Sequence, residues 1–371
     1  MRFITSSGTL LKNLQLISGI ISPSNISPIL NSFLFSIEGD QLDVYSSSGD
    51  ITMKVTMDVE SNVDGRVCIL AKVLLEYLKN LPEQPITIEV EKDNFQISIT
   101  SERGNYKIIG EDPELFNQIP NLDDAKLFTI SADDLADGIE KTLVAVSNDD
   151  MRPAMSGVFF ELSDNNLTLV STDAHRLARY IKTDVQGGTQ NDHFIVPRKA
   201  LNQLRTSLVS SSEVSISFNN KQILVVGGQV EMYCTLIDAR FPDYKVVIPA
   251  ENPYSLKLNK NEFQSALKRV SVFSNKTTNL VAFDIKGNTI HLNTIDIDYS
   301  YEGNEKMSCE YQGEDMKISF NSKLLLELIQ VIDSEEILFE LSSPTHACLM
   351  KSTEQSPNED LLILIMPLKS L

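Results

Sequence analysis

Tryptophan is absent from this chain, and histidine and cysteine occur only four times each in 371 residues. No two of His175, His193, His291 and His346 stand at the spacing of a metal-ligand pair. Cys68, Cys234, Cys309 and Cys348 are dispersed too. They read as reduced, buried thiols of a cytosolic protein, not as a disulfide framework or a zinc site. No run of 18 apolar residues occurs, so no transmembrane helix is expected. Lys12, Asn13 and Gln15 break the apolar character of the first segment, and no small-residue cleavage pattern follows, which argues against a signal peptide. A glycine-rich phosphate loop is also missing.

Basic residues are outnumbered, 32 against 51 acidic, giving a formal charge of −19. Taken alone, that argues against a nucleic-acid partner. A phosphate responds to the face turned toward it, however, so the placement of the basic residues decides the matter. The length calls for two or three domains. Hydrophobic residues at 42% and charged residues at 22% are ordinary for a globular protein.

The chain repeats an order of elements. Amphipathic helices are predicted at 6–21, 131–147 and 259–274. Their apolar stripes are Leu10, Leu14, Ile17 and Ile21; then Leu135, Ile139, Leu143 and Val146; then Phe263, Leu267 and Val270. A second helix follows each after a strand-rich stretch, at 69–81, 197–209 and 321–332. Alternating segments such as PITIEVEKDNFQISIT and EVSISFNNKQILVV then read as antiparallel hairpins. Both helix series recur roughly every 125 residues, a third of the chain. The expectation is an α+β fold of three copies of one domain, each with two helices and antiparallel sheet, at 1–122, 123–250 and 251–371.

At 100° per residue, the faces opposite the stripes are basic. Lys12 opposes the first stripe, and Lys72 and Lys79 share a polar face with Glu76. Lys199 sits opposite Leu201, Leu204 and Leu208, with Arg198 and Arg205 flanking. Lys268 and Lys323 oppose the stripes of their own helices, and Arg269 follows Lys268. Lys141 shares its face with Asp134 and Asp137. Lysines on solvated helix faces are common, but recurrence along so acidic a chain fits weak phosphate contact.

Three further stretches carry a resemblance: RPAMSGVFFELSDNNLTLVSTDAHRLA at 152–178, DARFPDYKVVIP at 238–249, and the terminal LLILIMPLKSL. In order, on a threefold-repeated chain, they resemble the bacterial sliding clamp, the β subunit of DNA polymerase III. The resemblance implies a head-to-tail homodimeric ring around double-stranded DNA, with helices lining the hole and no cofactor or catalysis. It implies partners that carry clamp-binding peptides: the polymerase catalytic subunit, the clamp loader and repair proteins. No membrane is involved, and a bacterial cytoplasmic location is expected.

Carried over by position, the peptide cleft comprises Met155, Thr172, Ala174, His175, Arg176, Leu177, Pro242, Val247, Asn321, Pro344, Ile365, Met366, Pro367 and Leu368. Apolar residues with a few polar anchors suit a pocket for a short peptide bearing Leu and Phe. The basic residues named above would face DNA, with Arg152 joining them from a loop. Ring closure would join Arg103, Tyr106, Lys107 and Ile108 of one chain to Val272, Phe273, Asp298 and Glu302 of the other. Ala174 stands where the family usually has Gly, and Ser24 and Pro153 where it often has basic or aromatic residues. The tail runs on past Lys369 to Ser370 and Leu371.

Two other classes deserve weighing. Asp173 and His175 invite an enzymatic reading, but no nucleophile and orienting group accompany them. A hydrolase built on unrecognised carboxylates, or a β-rich scaffold that never encloses DNA, would differ from a clamp in oligomeric mass.

Overall fold

The computed structural model describes residues 1–22, 27–183, 185–187, 191–208 and 212–369. Ser24, Ser370 and Leu371 lie outside the described residues, as does the last residue of the helix expected at 197–209.

Three runs of elements follow one order. The first is β1 (Arg2–Ser6), α1 (Ser7–Ser18), β2 (Ser32–Glu38), β3 (Gln41–Ser47), β4 (Ile51–Asp58), β5 (Glu60–Val63) and β6 (Gly65–Leu70). It ends with α2 (Ala71–Lys79), β7 (Pro85–Val90), β8 (Gln96–Thr100) and β9 (Asn105–Ile109). The second opens with β10 (Lys126–Ser131), α3 (Ala132–Leu143), β11 (Gly157–Ser163), β12 (Asn166–Thr172), β13 (Arg176–Lys182) and β14 (Asp192–Pro197). It closes with α4 (Arg198–Ser207), β15 (Glu213–Phe218), β16 (Gln222–Gly227) and β17 (Val230–Thr235). The third has β18 (Tyr254–Asn259), α5 (Lys260–Ser271), β19 (Leu280–Lys286), β20 (Thr289–Asp296), β21 (Tyr301–Ser308), β22 (Glu310–Gln312) and β23 (Met316–Asn321). It finishes with α6 (Ser322–Gln330), β24 (Glu336–Leu341), β25 (Cys348–Ser352) and β26 (Glu359–Ile365).

Local chemistry sets where strand becomes helix. Ser6 and Asn259 cap α1 and α5 by accepting from the backbone N–H groups of Thr9 and Glu262, and Ser131 accepts from Asp134 at the start of α3. The predicted stripes are buried: Leu10, Leu14, Ile17, Leu135, Ile139, Phe263, Leu267 and Val270 are all close to fully covered. Ile21 falls just past the end of α1 and is only half-buried. Each burial contributes about 1.5–3 kcal/mol by apolar area. Phe263 meets Phe283 and Phe339 edge-on, with both ring centroids at 5.7 Å. Between β11 and β12, Asp164 and Asn165 adopt φ of 50° and 63°, the two-residue hairpin turn these residues favour.

Each repeat builds two four-stranded antiparallel arrays. One array runs β1-β7-β8-β9, β10-β15-β16-β17 and β18-β24-β25-β26; the other runs β4-β3-β2-β6, β13-β12-β11-β14 and β21-β20-β19-β23. β17 pairs with β4, fusing arrays of the first and second repeats into one eight-stranded sheet. β26 pairs with β13 in the same way and fuses arrays of the second and third. The chain therefore separates into two compact units that do not follow the repeats: residues 1–136 with 199–236, and residues 137–198 with 237–371.

In the first unit, α4 is tied to α1. The Gln203 Nε2 and the Ser207 hydroxyl both donate to the Leu16 carbonyl, at 2.6 and 3.0 Å. A side chain on Gly19 would meet the Gln203 amide, which would have to shift and loosen its bond to Leu16. No helix among the described residues is long and apolar enough to cross a membrane.

Candidate functional site

The second unit holds every residue of the expected cleft. Its floor is an apolar cluster in which Val170, Leu177, Phe241, Tyr244, Ala347, Leu349, Leu362 and Leu364 are buried. Ala154 and Ile248 pack against its edge. Met155, Pro242 and Val247 are chain neighbours of these residues and stand above it, half-buried or exposed. The segment after β17 reaches this face by stacking Phe241 on Phe159, with ring centroids at 4.7 Å. The Tyr244 hydroxyl then donates to Glu161 at 2.6 Å, and the Lys245 ammonium to the same carboxylate at 2.9 Å. Burial alone would raise the Glu161 carboxyl, but those two hydrogen bonds and the Lys245 charge outweigh it and hold it below its usual range.

One wall is the turn from Thr172 to Arg176. The Asp173 carboxylate accepts the backbone N–H groups of His175 and Arg176, both at 2.9 Å. The Thr172 hydroxyl donates to the Arg176 carbonyl at 2.7 Å. These bonds hold Ala174 at φ +74°, a conformation that costs a side chain about 1–2 kcal/mol and explains why glycine is the simpler choice there. The other wall is the tail. The Met366 N–H donates to the His175 carbonyl at 2.8 Å, and the Leu368 N–H to the Ser319 carbonyl at 2.7 Å. The tail is thereby stretched between the turn and β23, leaving Met366 38% exposed above the cluster. Pro344 lies on an exposed loop that leads into the cluster at Ala347.

Four expected site residues do other work. Leu177 is 2% exposed and belongs to the floor of the core, because its β13 position points into the cluster. Arg176 is buried and neutralised by Asp173 at 3.0 Å and Glu327 at 2.7 Å, so it braces the turn against α6. Asn321 is spent on capping α6, accepting from the N–H groups of Lys323 and Leu324. Ile365 is buried by its pairing within β26. The exposed surface is left to Ala174, His175, Pro242, Val247, Pro344 and Met366, together with Val246, which is 76% exposed and which the sequence reading missed.

Among the basic residues, Lys12, Lys72, Lys79, Lys199, Arg205, Lys268 and Lys323 are exposed on their helices. Arg198 is half-buried and donates to Asn148, and exposed Arg152 pairs with Asp149 at 3.1 Å. Arg269 is forked on Glu305. Lys141 departs from the expectation altogether. Its ammonium is buried, 2.7 Å from Asp137 and 2.9 Å from Asp333, with Glu359 at 3.9 Å and the Tyr180 ring beside it. Burial alone would lower its pKa, but the hydrogen bonds to Asp137 and Asp333 raise it. It is a structural cation, not a phosphate contact. Lys141→Met keeps most of the stem and removes the charge, so it should destabilise the fold by about 1–3 kcal/mol. Lys268→Met should leave stability unchanged; equal denaturation midpoints for both variants would show that the cluster contributes nothing.

Of the residues expected at a chain–chain contact, Tyr106, Lys107 and Ile108 lie on β9 and Glu302 on β21, while Arg103, Val272, Phe273 and Asp298 lie in turns outside the strands. β9 pairs only with β8 and β21 only with β20 among the described residues. On β9, Tyr106 and Ile108 share the face of buried Ile97 and Ile99, and Tyr106 packs on Tyr77 of α2 at 4.7 Å. Lys107 lies on the opposite face together with Ile109, which is 79% exposed. On β21, Tyr301 and Gly303 share the face of Asp296 and Thr294, and Phe273 lies directly over Gly303. Val272, Phe273 and Tyr301 are 60%, 43% and 49% exposed. Glu302 points to the opposite face with Ile295, which is 64% exposed.

The described residues contain no group of three or more His, Cys, Asp or Glu side chains able to hold a metal ion. All four cysteines are buried free thiols, and burial pushes those of Cys68 and Cys234 up to about 12.

Comparison with known proteins bears on this geometry. Residues 1–123, 129–243 and 245–369 match, in that order, the models of the N-terminal, central and C-terminal domains of the DNA polymerase III beta subunit. The beta sliding clamp of Pseudomonas aeruginosa is 26% identical over 382 aligned residues, covering 100% of both chains. That of Halalkalibacterium halodurans is 28% identical, covering 91% of this chain and 92% of its own. Among solved structures, the DNA polymerase III subunit beta of Pseudomonas aeruginosa superposes with a TM-score of 0.93 at 24% identity, covering 100% of both chains. The DNA polymerase beta subunit of Streptococcus pyogenes gives 0.94 at 22%, again over 100% of both chains.

Proposed function

The chain belongs to the DNA polymerase III beta subunit family, and from that premise we propose that two copies close head to tail around duplex DNA through the edges of β9 and β21. The protein is a processivity clamp with no catalysis of its own. The observation that carries the ring is the pattern of seams. Within the chain, the last strand of one repeat pairs with the third strand of the long hairpin array in the repeat before it, as β17 on β4 and β26 on β13. The same rule applied once more calls for β9 on β21. Among the described residues those strands have open edges, which a second copy would fill. Such a contact closes into a ring only if its rotation suits.

The side chains support this pairing. Tyr106 and Ile108 would meet Val272, Phe273 and Tyr301 on the helix-bearing face. On the other face Lys107 would meet Glu302, and Ile109 would meet Ile295. Arg103 would approach Asp298. A groove between Ser265 and Arg269 of α5 and Glu305 and Met307 of β21 gives the incoming chain room. We place the three domains at 1–122, 123–250 and 251–371. The cleft of Met155, Thr172, His175, Pro242, Val247, Pro344, Met366, Pro367 and Leu368 takes the Leu and Phe side chains of peptides from the polymerase, the clamp loader and repair proteins.

A ring around DNA is held by topology. Loaded by its clamp loader onto nicked circular duplex, the protein should travel with the DNA through gel filtration and be lost once the circle is linearised. Equal retention on circular and linear DNA would overturn the encircling reading.

A further inference from the structure

We propose that Met366 and Met155 form an oxidation site, at which conversion of thioether to sulfoxide shuts the peptide cleft. The inference rests on the cleft reading above and names a covalent chemistry that regulates it.

The sulfur of this chain is unevenly placed. All four cysteines are buried, and burial raises the pKa of Cys68, Cys234, Cys309 and Cys348, so the thiolate that an oxidant attacks is scarce. Tryptophan is absent. Of the ten methionines, Met1, Met53, Met57, Met232, Met316 and Met350 are buried at 8% exposure or less. Solvent reaches the other four, Met151, Met155, Met307 and Met366. Two of those four line the cleft. Oxidisable sulfur is thus withheld from the core and offered at the surface that takes the peptide.

The backbone fixes both cleft methionines in place. The Met366 N–H is bonded to the His175 carbonyl and the Leu368 N–H to the Ser319 carbonyl, so the tail is pinned on either side of the Met366 side chain. That side chain is left 38% exposed over the apolar cluster. The Met155 N–H donates to the Arg152 carbonyl and its own carbonyl accepts the Ser147 N–H, both at 2.9 Å. Its neighbour Ala154 packs on the same cluster, and Met155 stays half-buried beside it.

The oxidant is hydrogen peroxide. The thioether sulfur attacks one peroxide oxygen, the S–O bond forms as the O–O bond breaks, and the departing hydroxide takes the remaining proton to leave as water. Sulfur gives up two electrons and the peroxide gains them. A flexible apolar side chain becomes a polar, chiral one. The thioether suits a peptide Leu by its apolar surface and a peptide Phe by sulfur–ring contact. A sulfoxide oxygen under the same peptide is a new polar group to bury, and the N–H groups of Met366 and Leu368 are already bonded. The change is reversible: methionine sulfoxide reductase, supplied with a dithiol, returns the thioether, releases the oxygen as water and leaves a disulfide in the reductant.

Dilute hydrogen peroxide, removed before the peptide is added, tests this on the full-length protein. The probe is a fluorescein-labelled peptide of the Gln-Leu-x-Leu-Phe kind read by anisotropy, while mass spectrometry of digests gives the oxygen gained at each methionine. Affinity should fall roughly tenfold or more as Met366 and Met155 gain oxygen, with an unchanged circular dichroism spectrum. Methionine sulfoxide reductase with dithiothreitol should restore it. Met151→Leu should leave the peroxide effect as it is. In Met155→Leu with Met366→Leu, whatever its starting affinity, peroxide should cause no further loss. Full affinity after Met366 is oxidised, a loss that persists in the double variant, or a Met366 that stays reduced while Met151 is converted would each overturn the site. Failure of the cleft reading looks different: the untreated protein would not bind the peptide at all.

Discussion

Removal of Pro367–Leu371 should leave a folded dimer that no longer binds peptides of the Gln-Leu-x-Leu-Phe kind. Strand β26 ends at Ile365, and the Met366 N–H keeps its bond to the His175 carbonyl, so the sheet is left intact. What disappears is the segment anchored on Ser319 through Leu368, the wall that stands over the cluster of Leu177, Phe241 and Leu364. Burying a peptide Leu and Phe against that wall is worth about 1.5–3 kcal/mol each by apolar area. Ordering the peptide offsets much of this, so micromolar affinity is expected for the intact protein. Loss of one wall costs about 2 kcal/mol or more, a fall of at least roughly thirtyfold, readable by fluorescence anisotropy. Met366→Ala and Pro242→Ala should each weaken binding part way. Full affinity after truncation would remove the cleft from this part of the molecule. Loss of the dimer as well would make the tail a structural element of the ring.

The repeats and helix stripes were legible because they are local. Leu10, Leu14 and Ile17 announce a buried face by spacing alone, and they are buried. The role of Lys141 was hidden because the carboxylates that bury its charge, Asp333 and Glu359, lie in the third repeat, and no local pattern joins them to α3. Arg176 and Asn321 were legible as polar residues near a cleft, but not as already occupied. Their partners are fixed by β13 and β23 arriving beside α6, which is a matter of tertiary placement. Leu177 and Val247 looked equally apolar, yet one is floor and the other is 52% exposed. Only the path of the segment after β17 separates them. The exposure of Ile109 and Ile295 was not legible for a related reason. An exposed apolar residue means little until its strand proves to be an open edge, and edge status depends on which strands pair.

Val272→Asp should convert the dimer to monomers without unfolding either. Val272 is 60% exposed in the chain, so the substitution removes no core contact and costs the fold little. In the proposed ring the same position is covered by Tyr106 and Ile108 of the partner chain, where a carboxylate would be buried without a cation. Such an uncompensated charge costs about 3–5 kcal/mol, which raises the dissociation constant by a factor of roughly one hundred to several thousand. Ile108→Asp is a less clean test, since Ile108 is half-buried on the face of Ile97 and its loss would also weaken its own sheet. Light scattering after size exclusion should give half the mass for Val272→Asp, with an unchanged circular dichroism spectrum and melting curve. A full dimer from this variant would mean that β9 and β21 do not meet. The one-residue readout is decisive because the two open edges have no other partner among the described strands.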